Sequence, residues 1–317
     1  MLCVATLAAC AGGSTQTAQP TTCSIEQVAD VPVHMVRGHI LAPANVNYAP
    51  VQLLVDTGAS TSMLTPEVAQ ALRLPNDSYR TTTVHGTGGV VVTHNVMVRS
   101  LQVGSQDWQG GSITTGHLDR RYEEDPPVAG LLGADHLTGF DVELDIPHHR
   151  MVLWRVQHCI EDFVPWQAPH FALRLTRYQP NRVVTQVHID GHPVTAMIDW
   201  GAAVTTITTG TADAVGVTAE MLAHDRSGSG RGVDQNEVPF RLHRFAELKI
   251  GPGTFRNPTI EVADLLVADV GMLLGADYVT SRHVWLSYAS DQMFVEARPT
   301  PTPTPTLTPT LTPTTGP

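Results

Sequence analysis

The chain has 317 residues, 42% of them hydrophobic, which is enough to bury a substantial core and to form two domains of ordinary size. Its 30 acidic and 19 basic residues give a formal net charge of −11, which argues against a nucleic-acid partner, because phosphates require a positive surface. Aromatic residues are few at 6%, while Gly, Pro, Val and Thr are plentiful, so short strands joined by turns are favoured. We therefore predict an all-β protein.

The longest apolar stretch of the sequence lies at the N-terminus, residues 1–10, but it is too short to span a bilayer as a helix. Leu7, Ala8, Ala9 and Cys10 resemble the lipobox of bacterial lipoproteins, in which the signal is cut before the cysteine and the cysteine is lipid-modified. We interpret residues 1–9 as a truncated lipoprotein signal peptide and Cys10 as the lipidation site. This predicts an exported protein of the bacterial cell envelope, facing the periplasm or exterior, that meets the membrane only through its lipid anchor. An ordinary N-terminus of small residues is the alternative.

Both ends of the chain have biased compositions. Residues 10–22 are small and polar, which is typical of a flexible tether. Residues 298–317 alternate Pro with Thr, and proline lacks the backbone donor that strands and helices need, so we predict a disordered tail. In an exported protein the remaining cysteines, Cys23 and Cys159, permit a disulfide. Two unpaired buried thiols are the alternative.

Two motifs occur twice at nearly the same spacing. Residues 51–59 (VQLLVDTGA) align with residues 194–202 (VTAMIDWGA), 143 positions later. Residues 129–135 (AGLLGAD) align with residues 271–277 (GMLLGAD), 142 positions later. Agreement at nearly one offset indicates an internal duplication.

Local signals predict some elements of each repeat. In the second repeat, residues 182–189 and 194–198 flank an Asp-Gly pair, and both of these residues tolerate positive φ, so we predict a tight hairpin. In the first repeat, residues 66–74 are predicted to form a short helix with Thr65 as its cap and proline at its first position.

Each repeat joins an apolar strand, an Asp-x-Gly loop and a later Leu-Leu-Gly strand. The segments are VDTGAS at 55–60 with LLG at 131–133, and IDWGA at 198–202 with LLG at 273–275. This arrangement resembles the aspartic proteases, specifically the retropepsin-like proteases, and the resemblance covers most of residues 30–297. It implies two tandem acid-protease β-barrel lobes, residues 23–163 and 164–297, with an inter-lobe cleft. It also implies a monomer with internal pseudo-twofold symmetry.

The resemblance implies that Asp56 and Asp199 are the catalytic residues of an aspartic endopeptidase. Two adjacent carboxylates cannot both ionise easily, so they share a proton, as is characteristic of aspartic proteases. The ionised carboxylate then activates a water while the protonated one hydrogen-bonds the peptide carbonyl. The expected partner is a peptide or protein substrate, and no cofactor or metal is required.

Thr57, Gly58, Trp200 and Gly201 are expected to support the two catalytic loops. In the family a Thr or Ser hydroxyl after each Asp bonds across to the opposite loop, but here the second position is Trp200, whose indole is larger and has no acceptor. The loops must therefore be braced asymmetrically or be shifted apart. The alternative function is a catalytically inactive peptide-binding or scaffolding lipoprotein. A further alternative is that each half needs a partner chain.

The family covers its cleft with a β-hairpin flap, and glycine-rich segments occur at corresponding points of both repeats. The candidate flap residues are His85, Gly86, Gly88, Gly228 and Gly230, because glycine accommodates the large dihedral changes of closure. Two surface turns are the alternative.

Other chemistries find little support in the sequence. The 15 histidines are scattered without the spacing or second ligand group of a zinc site. No Gly-x-Ser-x-Gly elbow occurs, and Cys159 lies in no recognisable nucleophile context. We predict no metal site and no cofactor.

Overall fold

The computed structural model describes residues 22–118, 122, 124–179, 181–267 and 269–297. The predicted signal peptide, the lipidation site Cys10, nearly all of the predicted tether and the predicted tail lie outside these residues. Within them the chain is almost entirely β-structure with a few short helices, which confirms the predicted all-β class.

The first lobe contains eleven of the described strands, two short α-helices and a 3-10 turn. Its elements are β1 (Ser24–Pro32), β2 (His34–Val36), β3 (His39–Val46), β4 (Ala49–Val55), β5 (Met63–Leu64), α1 (Pro66–Ala71), β6 (Asn76–His85), β7 (Val90–Val103), β8 (Gln106–Thr115), β9 (Val128–Leu132), α2 (Ala134–Leu137), β10 (Asp141–Asp145), the 3-10 turn (Ile146–His148) and β11 (Arg150–Gln157).

The second lobe repeats this plan with thirteen described strands and three short α-helices. Its elements are β12 (His170–Arg174), β13 (Thr176–Tyr178), β14 (Arg182–Ile189), β15 (His192–Ile198), β16 (Thr206–Thr208), α3 (Thr209–Ala214), α4 (Ala219–His224), β17 (Arg226–Arg231), β18 (Glu237–Arg244), β19 (Glu247–Ile250), β20 (Gly253–Arg256), β21 (Thr259–Ala263), β22 (Met272–Leu274), α5 (Ala276–Val279), β23 (His283–Ser287) and β24 (Gln292–Glu296).

Each lobe has its own large, strongly connected sheet. The first has the strand order β2-β3-β4-β9-β5-β8-β7-β6, and the second has the order β17-β18-β21-β16-β22-β15-β14-β19-β20 with β13 beside β14. In each lobe the strand that leads to the Asp-x-Gly loop pairs in parallel with the Leu-Leu-Gly strand, β4 with β9 and β15 with β22. The parts of β4 and β15 that lead into the Asp-x-Gly loops are buried, as are nearly all of β9 and β22, which is usual for parallel strands.

A third sheet of six strands joins the lobes in the order β1-β11-β10-β23-β24-β12. Its central pair, β10 and β23, comes from the same position of the two repeats, with Val142 opposite Leu286 and Leu144 opposite Val284. This shared sheet was not predicted from the sequence. The final hairpin of each repeat has an open edge, and pairing the two edges satisfies backbone groups that would otherwise be unpaired.

The back of the shared sheet is closed by the connection between the lobes and by a disulfide. Phe163 and Trp166 of the connection pack against Trp285 of β23, which is fully buried. Cys23 and Cys159 are bonded to each other, with their Cα atoms 4.4 Å apart, directly beyond the paired ends of β1 and β11. Within the described residues we find no helix with the length and apolar character needed to cross a membrane.

Candidate active site

The two Asp-x-Gly loops lie at equivalent places in their lobes, immediately after β4 and β15. The amide of Asp56 donates to the carbonyl of Leu132 at 3.0 Å, and the amide of Asp199 donates to the carbonyl of Leu274 at 3.0 Å. The parallel Leu-Leu-Gly strand therefore fixes the start of each loop. This is why the two motifs recur together in the sequence.

Each aspartate is held by its own loop. Its Oδ1 accepts hydrogen bonds from the amides two and three residues later, at 2.9 and 2.8 Å in the first lobe and at 3.0 and 3.1 Å in the second. Backbone donors of this kind fix the carboxylate plane and favour its ionised form.

The structure brings Asp56 and Asp199 together across the cleft. A side chain at Gly58 would collide with the carboxylate of Asp199, and a side chain at Gly201 would collide with that of Asp56. Each loop glycine therefore leaves room for the aspartate of the opposite lobe. Glycine is needed at positions 58 and 201 because the opposite carboxylate comes so close, and not only because of the conformation of the turn.

The pair resists full ionisation. Burial, together with the charge of Asp199, raises the pKa of Asp56 to about 7. Burial also raises the pKa of Asp199 above its ordinary value. The loop amides and the guanidinium of Arg182 oppose these increases at both aspartates. A single proton is therefore retained between the two carboxyl groups well above the usual range of aspartate.

The brace between the loops is asymmetric. The Thr57 hydroxyl is fully buried, donates to the carbonyl of Ile198 at 2.8 Å and accepts from the amide of Trp200 at 3.0 Å. The Trp200 side chain is 1% exposed and belongs to the main hydrophobic core. One hydroxyl thus links the loops, and Trp200 supplies a backbone donor and apolar packing where the family has a second hydroxyl.

A second pair of braces was missed in the sequence. Ser62 Oγ donates to Asp135 Oδ1 at 2.7 Å and accepts from the amide of Gly133 at 2.8 Å. In the second lobe Thr205 Oγ1 likewise donates to Asp277 Oδ1 at 2.7 Å. These bonds tie each Asp-x-Gly loop to the turn after the Leu-Leu-Gly strand. The repeated Gly-Ala-Asp motif was the available signal, since its aspartates recur at the repeat offset.

The predicted flap residues fall on two hairpins. His85 ends β6, and Gly86 and Gly88 lie in the tip between β6 and β7. Gly228 and Gly230 lie within strand β17, whereas the tip of their hairpin is at residues 232–236. Gly228 is needed beside Phe240, because a side chain there would collide with that ring.

The two hairpin tips meet above the cleft. The amide of Gly88 donates to Asp234 Oδ2 at 3.0 Å, and Asn236 Nδ2 donates to the carbonyl of Gly88 at 3.1 Å. The amide of Leu266 donates to the carbonyl of Thr87 at 3.0 Å. The cavity beneath the tips has a volume of about 750 Å³ and is lined by both aspartates, which is within the size range of ligand sites.

Two further side chains of the cleft occupy equivalent positions in the repeats, although sequence reasoning did not single them out. His39, the first residue of β3, has Nδ1 3.1 Å from the carbonyl oxygen of Gly201. Arg182, the first residue of β14, has Nη1 3.5 Å from the carbonyl oxygen of Gly58. Each therefore reaches across to the Asp-x-Gly loop of the opposite lobe.

A metal was not expected from the sequence. Among the residues that the structure describes, no group of three or more His, Cys, Asp or Glu side chains is arranged to hold one.

The profile of the aspartyl protease family matches residues 42–136 and again residues 185–278. The chain belongs to the aspartyl protease family. The double match confirms two tandem lobes of this family, one around each aspartate. A search of the curated proteins found no match.

Proposed function

We propose that the chain is an aspartic endopeptidase that hydrolyses peptide bonds with a water activated between Asp56 and Asp199. The observation that carries this proposal is the close opposition of the two carboxyl groups, each with a raised pKa. A pair that retains one proton contains both a base and an acid, as the reaction needs.

The mechanism uses only side chains of this chain and a water. The ionised carboxylate takes a proton from the water as its oxygen attacks the peptide carbonyl. The protonated carboxyl group hydrogen-bonds the carbonyl oxygen and stabilises the charge that develops there. Proton transfer to the amide nitrogen then releases the amine, and the dyad returns to its singly protonated state.

The asymmetric brace supports an active pair. Trp200 does not separate the loops, since Thr57 spans them and each loop glycine still lies against the opposite aspartate. The two hairpin tips meet above the cleft and shield it from bulk water, which also favours hydrolysis there.

The decisive experiment is cleavage of a randomised peptide library by the full chain between pH 4 and pH 8, with and without a statine-type inhibitor. Asp56→Asn and Asp199→Asn are compared with Asp30→Asn, an exposed aspartate paired with Arg150 outside the cleft. We expect inhibitor-sensitive cleavage by the wild type and by Asp30→Asn, and none by the two dyad variants. A wild type that binds peptides but cuts none would favour the peptide-binding alternative.

We also propose that the protein works in the bacterial cell envelope and is anchored by a lipid on Cys10. The bond between Cys23 and Cys159 supports an oxidising compartment. Metabolic labelling with palmitate of the wild type and of Cys10→Ser tests the anchor. Label in the wild type alone is expected, and equal label in both would rule out Cys10.

A further inference from the structure

The charges of the cleft differ from those of the whole molecule. The chain carries a formal net charge of −11, yet apart from the two catalytic aspartates its cleft is lined by three arginines and one glutamate. These are Arg37, Arg182, Arg231 and Glu261. With one negative charge on the singly protonated dyad, this lining is close to neutral and slightly positive, so an acidic ligand meets less repulsion in the cleft than elsewhere on this acidic protein.

Arg182 is the arginine in contact with a catalytic loop. Its Nη1 lies near the carbonyl oxygen of Gly58, and its charge opposes the raised pKa values of both catalytic aspartates. Arg231, in contrast, lies on the exposed flap strand with Glu237 3.5 Å away. Among the described residues, Arg182 forms no ion pair with a carboxylate side chain.

The guanidinium of Arg182 is oriented but incompletely satisfied. It lies over the ring of Tyr178, with Cζ 5.3 Å from the ring centroid, and Nη2 donates to Gln179 Oε1. Its Nε is buried and has no hydrogen-bond partner among the described residues. A planar guanidinium presents its donors in a fork that matches a carboxylate, so a held and partly unsatisfied arginine is suited to bind one.

A purely structural role does not explain the guanidinium. His39, the counterpart of Arg182 in the first repeat, makes the equivalent contact with a loop carbonyl using an imidazole nitrogen. The contact between the lobes thus requires no permanent positive charge. The cleft therefore has a guanidinium on the side of Arg182 where the equivalent position on the other side has an imidazole.

We infer that Arg182 is a specificity-determining residue that binds the carboxylate of a Glu or Asp side chain of the peptide substrate. The side chain belongs to a substrate residue close to the scissile bond, because Arg182 lies beside the catalytic loop. This inference rests on the proposed function and specifies its substrate class. In an extended peptide, alternate side chains enter separate pockets, so one substrate position should carry the preference.

The test uses fluorogenic octapeptides based on the best-cleaved library sequence, in which Glu or Gln occupies one position at a time. For the wild type, kcat/KM at one position should be at least about tenfold higher with Glu than with Gln, as expected for a hydrogen bond to a charged group. Arg182→Gln should abolish this ratio, and Arg182→Lys should retain part of it. Arg155→Gln, an exposed arginine paired with Glu26 on β11, is the matched charge control and should retain all of it.

Comparing Glu and Gln peptides within one variant distinguishes loss of recognition of the acidic side chain from a general loss of catalytic efficiency. If Arg182 only joins the lobes, Arg182→Gln should lower kcat/KM equally for both peptides, and the Glu preference should remain. That result, or a wild type without an acidic preference at any position, would overturn the inference while leaving the proposed function intact.

A binding measurement keeps the inference testable if no peptide is cut. Fluorescein-labelled random octapeptide pools, with Glu or Gln fixed at each position in turn, are bound to Asp56→Asn and to the double variant with Arg182→Gln. Tighter binding of one Glu pool that disappears in the double variant would support the inference even where cleavage fails. Equal binding of the Glu and Gln pools would refute it.

Discussion

At the scale of the residue, the side-chain hydroxyl of Thr57 links the two Asp-x-Gly loops. Thr57 bonds to the backbone of both Ile198 and Trp200 from a fully buried position. Buried polar groups that lose their hydrogen-bond partners destabilise the folded state, so loss of this small side chain's hydroxyl should lower the free energy of unfolding appreciably.

Replacing Thr57 with Val keeps the shape of the side chain but removes the hydroxyl. We expect a loss of about 1–3 kcal/mol in the free energy of unfolding, because a buried donor and a buried acceptor are left unpaired. We also expect a reduced kcat. Thr57→Ser retains the hydroxyl and serves as the control in denaturant titrations and kinetics. A loss in Thr57→Ser, which keeps the hydroxyl, as large as that in Thr57→Val would contradict a dominant contribution of the hydroxyl brace.

The raised pKa of Asp56 predicts a pH-dependent gain in stability for Asp56→Asn. The pKa rises on folding from 3.8 to about 7, so the folded state binds this proton more tightly and loses stability as the pH increases through that interval. Asparagine cannot ionise, so the variant should gain stability relative to the wild type at pH 8 but not at pH 4. Each unit of elevation corresponds to about 1.4 kcal/mol.

Thermal unfolding at pH 4 and pH 8 measures this effect, with Asp30→Asn as the exposed control. A shift in Tm that is the same at both pH values would contradict the elevated pKa.

The sequence predicted the aspartates and their glycines because their motif is local and repeated. It did not predict the roles of Arg182, His39 or Ser62, because these depend on which side chains meet across the cleft or between distant strands. The offset between the repeats pairs Arg182 with His39, but only the fold places both of them against loop carbonyls.

At the scale of the element, the two flap hairpins are held together by side chains of one hairpin and the backbone of the other. Asp234 and Asn236 both bond to Gly88. The cavity lies beneath these tips, so the strength of this contact should control access to the cleft.

Asp234→Ala removes the acceptor for the Gly88 amide. We expect at least about fivefold faster hydrogen exchange in the segment around Gly88, because its amide loses a hydrogen bond worth about 1 kcal/mol. The substitution also removes the bond from the amide of Asn236 to Asp234 Oδ1 within its own turn. Gln235→Ala is the matched control, because Gln235 Nε2 bonds within its own hairpin to the carbonyl of Gly232. Faster exchange in both variants would indicate general loosening of the hairpin and not the loss of a specific contact.

Local elements were predictable where turn and cap residues mark them. The predicted cap Thr65 accepts from the amide of Val68, and the helix begins at Pro66 as expected. It ends at Ala71 and not at residue 74, because Arg73 adopts φ of 51° and stops helical propagation. The Asp190-Gly191 hairpin forms with positive φ at both residues, as predicted. The flap tips were harder to locate, since Gly228 is required by Phe240 and not by a turn.

At the scale of the whole molecule, Glu143 joins the lobes behind the cleft. It is a buried residue of β10 and accepts from His283 Nε2 of the second lobe at 2.6 Å and from Trp166 Nε1 of the connection between the lobes at 3.1 Å. Burial opposes its ionisation, but these bonds and one from Trp154 outweigh burial and lower the pKa of Glu143.

A lowered pKa means that Glu143 stabilises the fold above the pKa of the unfolded chain and ceases to do so as the pH falls through its folded value. Glu143→Gln should therefore reduce the free energy of unfolding at pH 7 by about 1–3 kcal/mol, since charged hydrogen bonds are lost. The loss should shrink toward pH 3. Glu296→Gln, a more exposed partner of the same His283 at 3.5 Å, should change stability little. A loss for Glu143→Gln that is independent of pH would argue against a charged Glu143.

The two lobes were predictable from the internal repeat, but the sheet that unites them was not. Its strands β10, β11, β23 and β24 look in sequence like ordinary closing hairpins of separate lobes. Nothing in a single repeat specifies that the edge of its own hairpin will pair with the edge of the other. The pairing of β10 with β23 depends on the relative position of the two lobes, which the contacts between the Asp-x-Gly loops help to set.

The pairing of β10 with β23 has a consequence for how the protein behaves on dilution. Val142 faces Leu286 and Leu144 faces Val284, and because these residues match at the repeat offset, the contact has the reciprocal form of a homodimer interface. Two unlinked halves of this shape would come apart at low concentration. Here the covalent connection between them keeps their effective concentration high at any dilution, so activity per molecule should be the same at nanomolar and at micromolar concentrations.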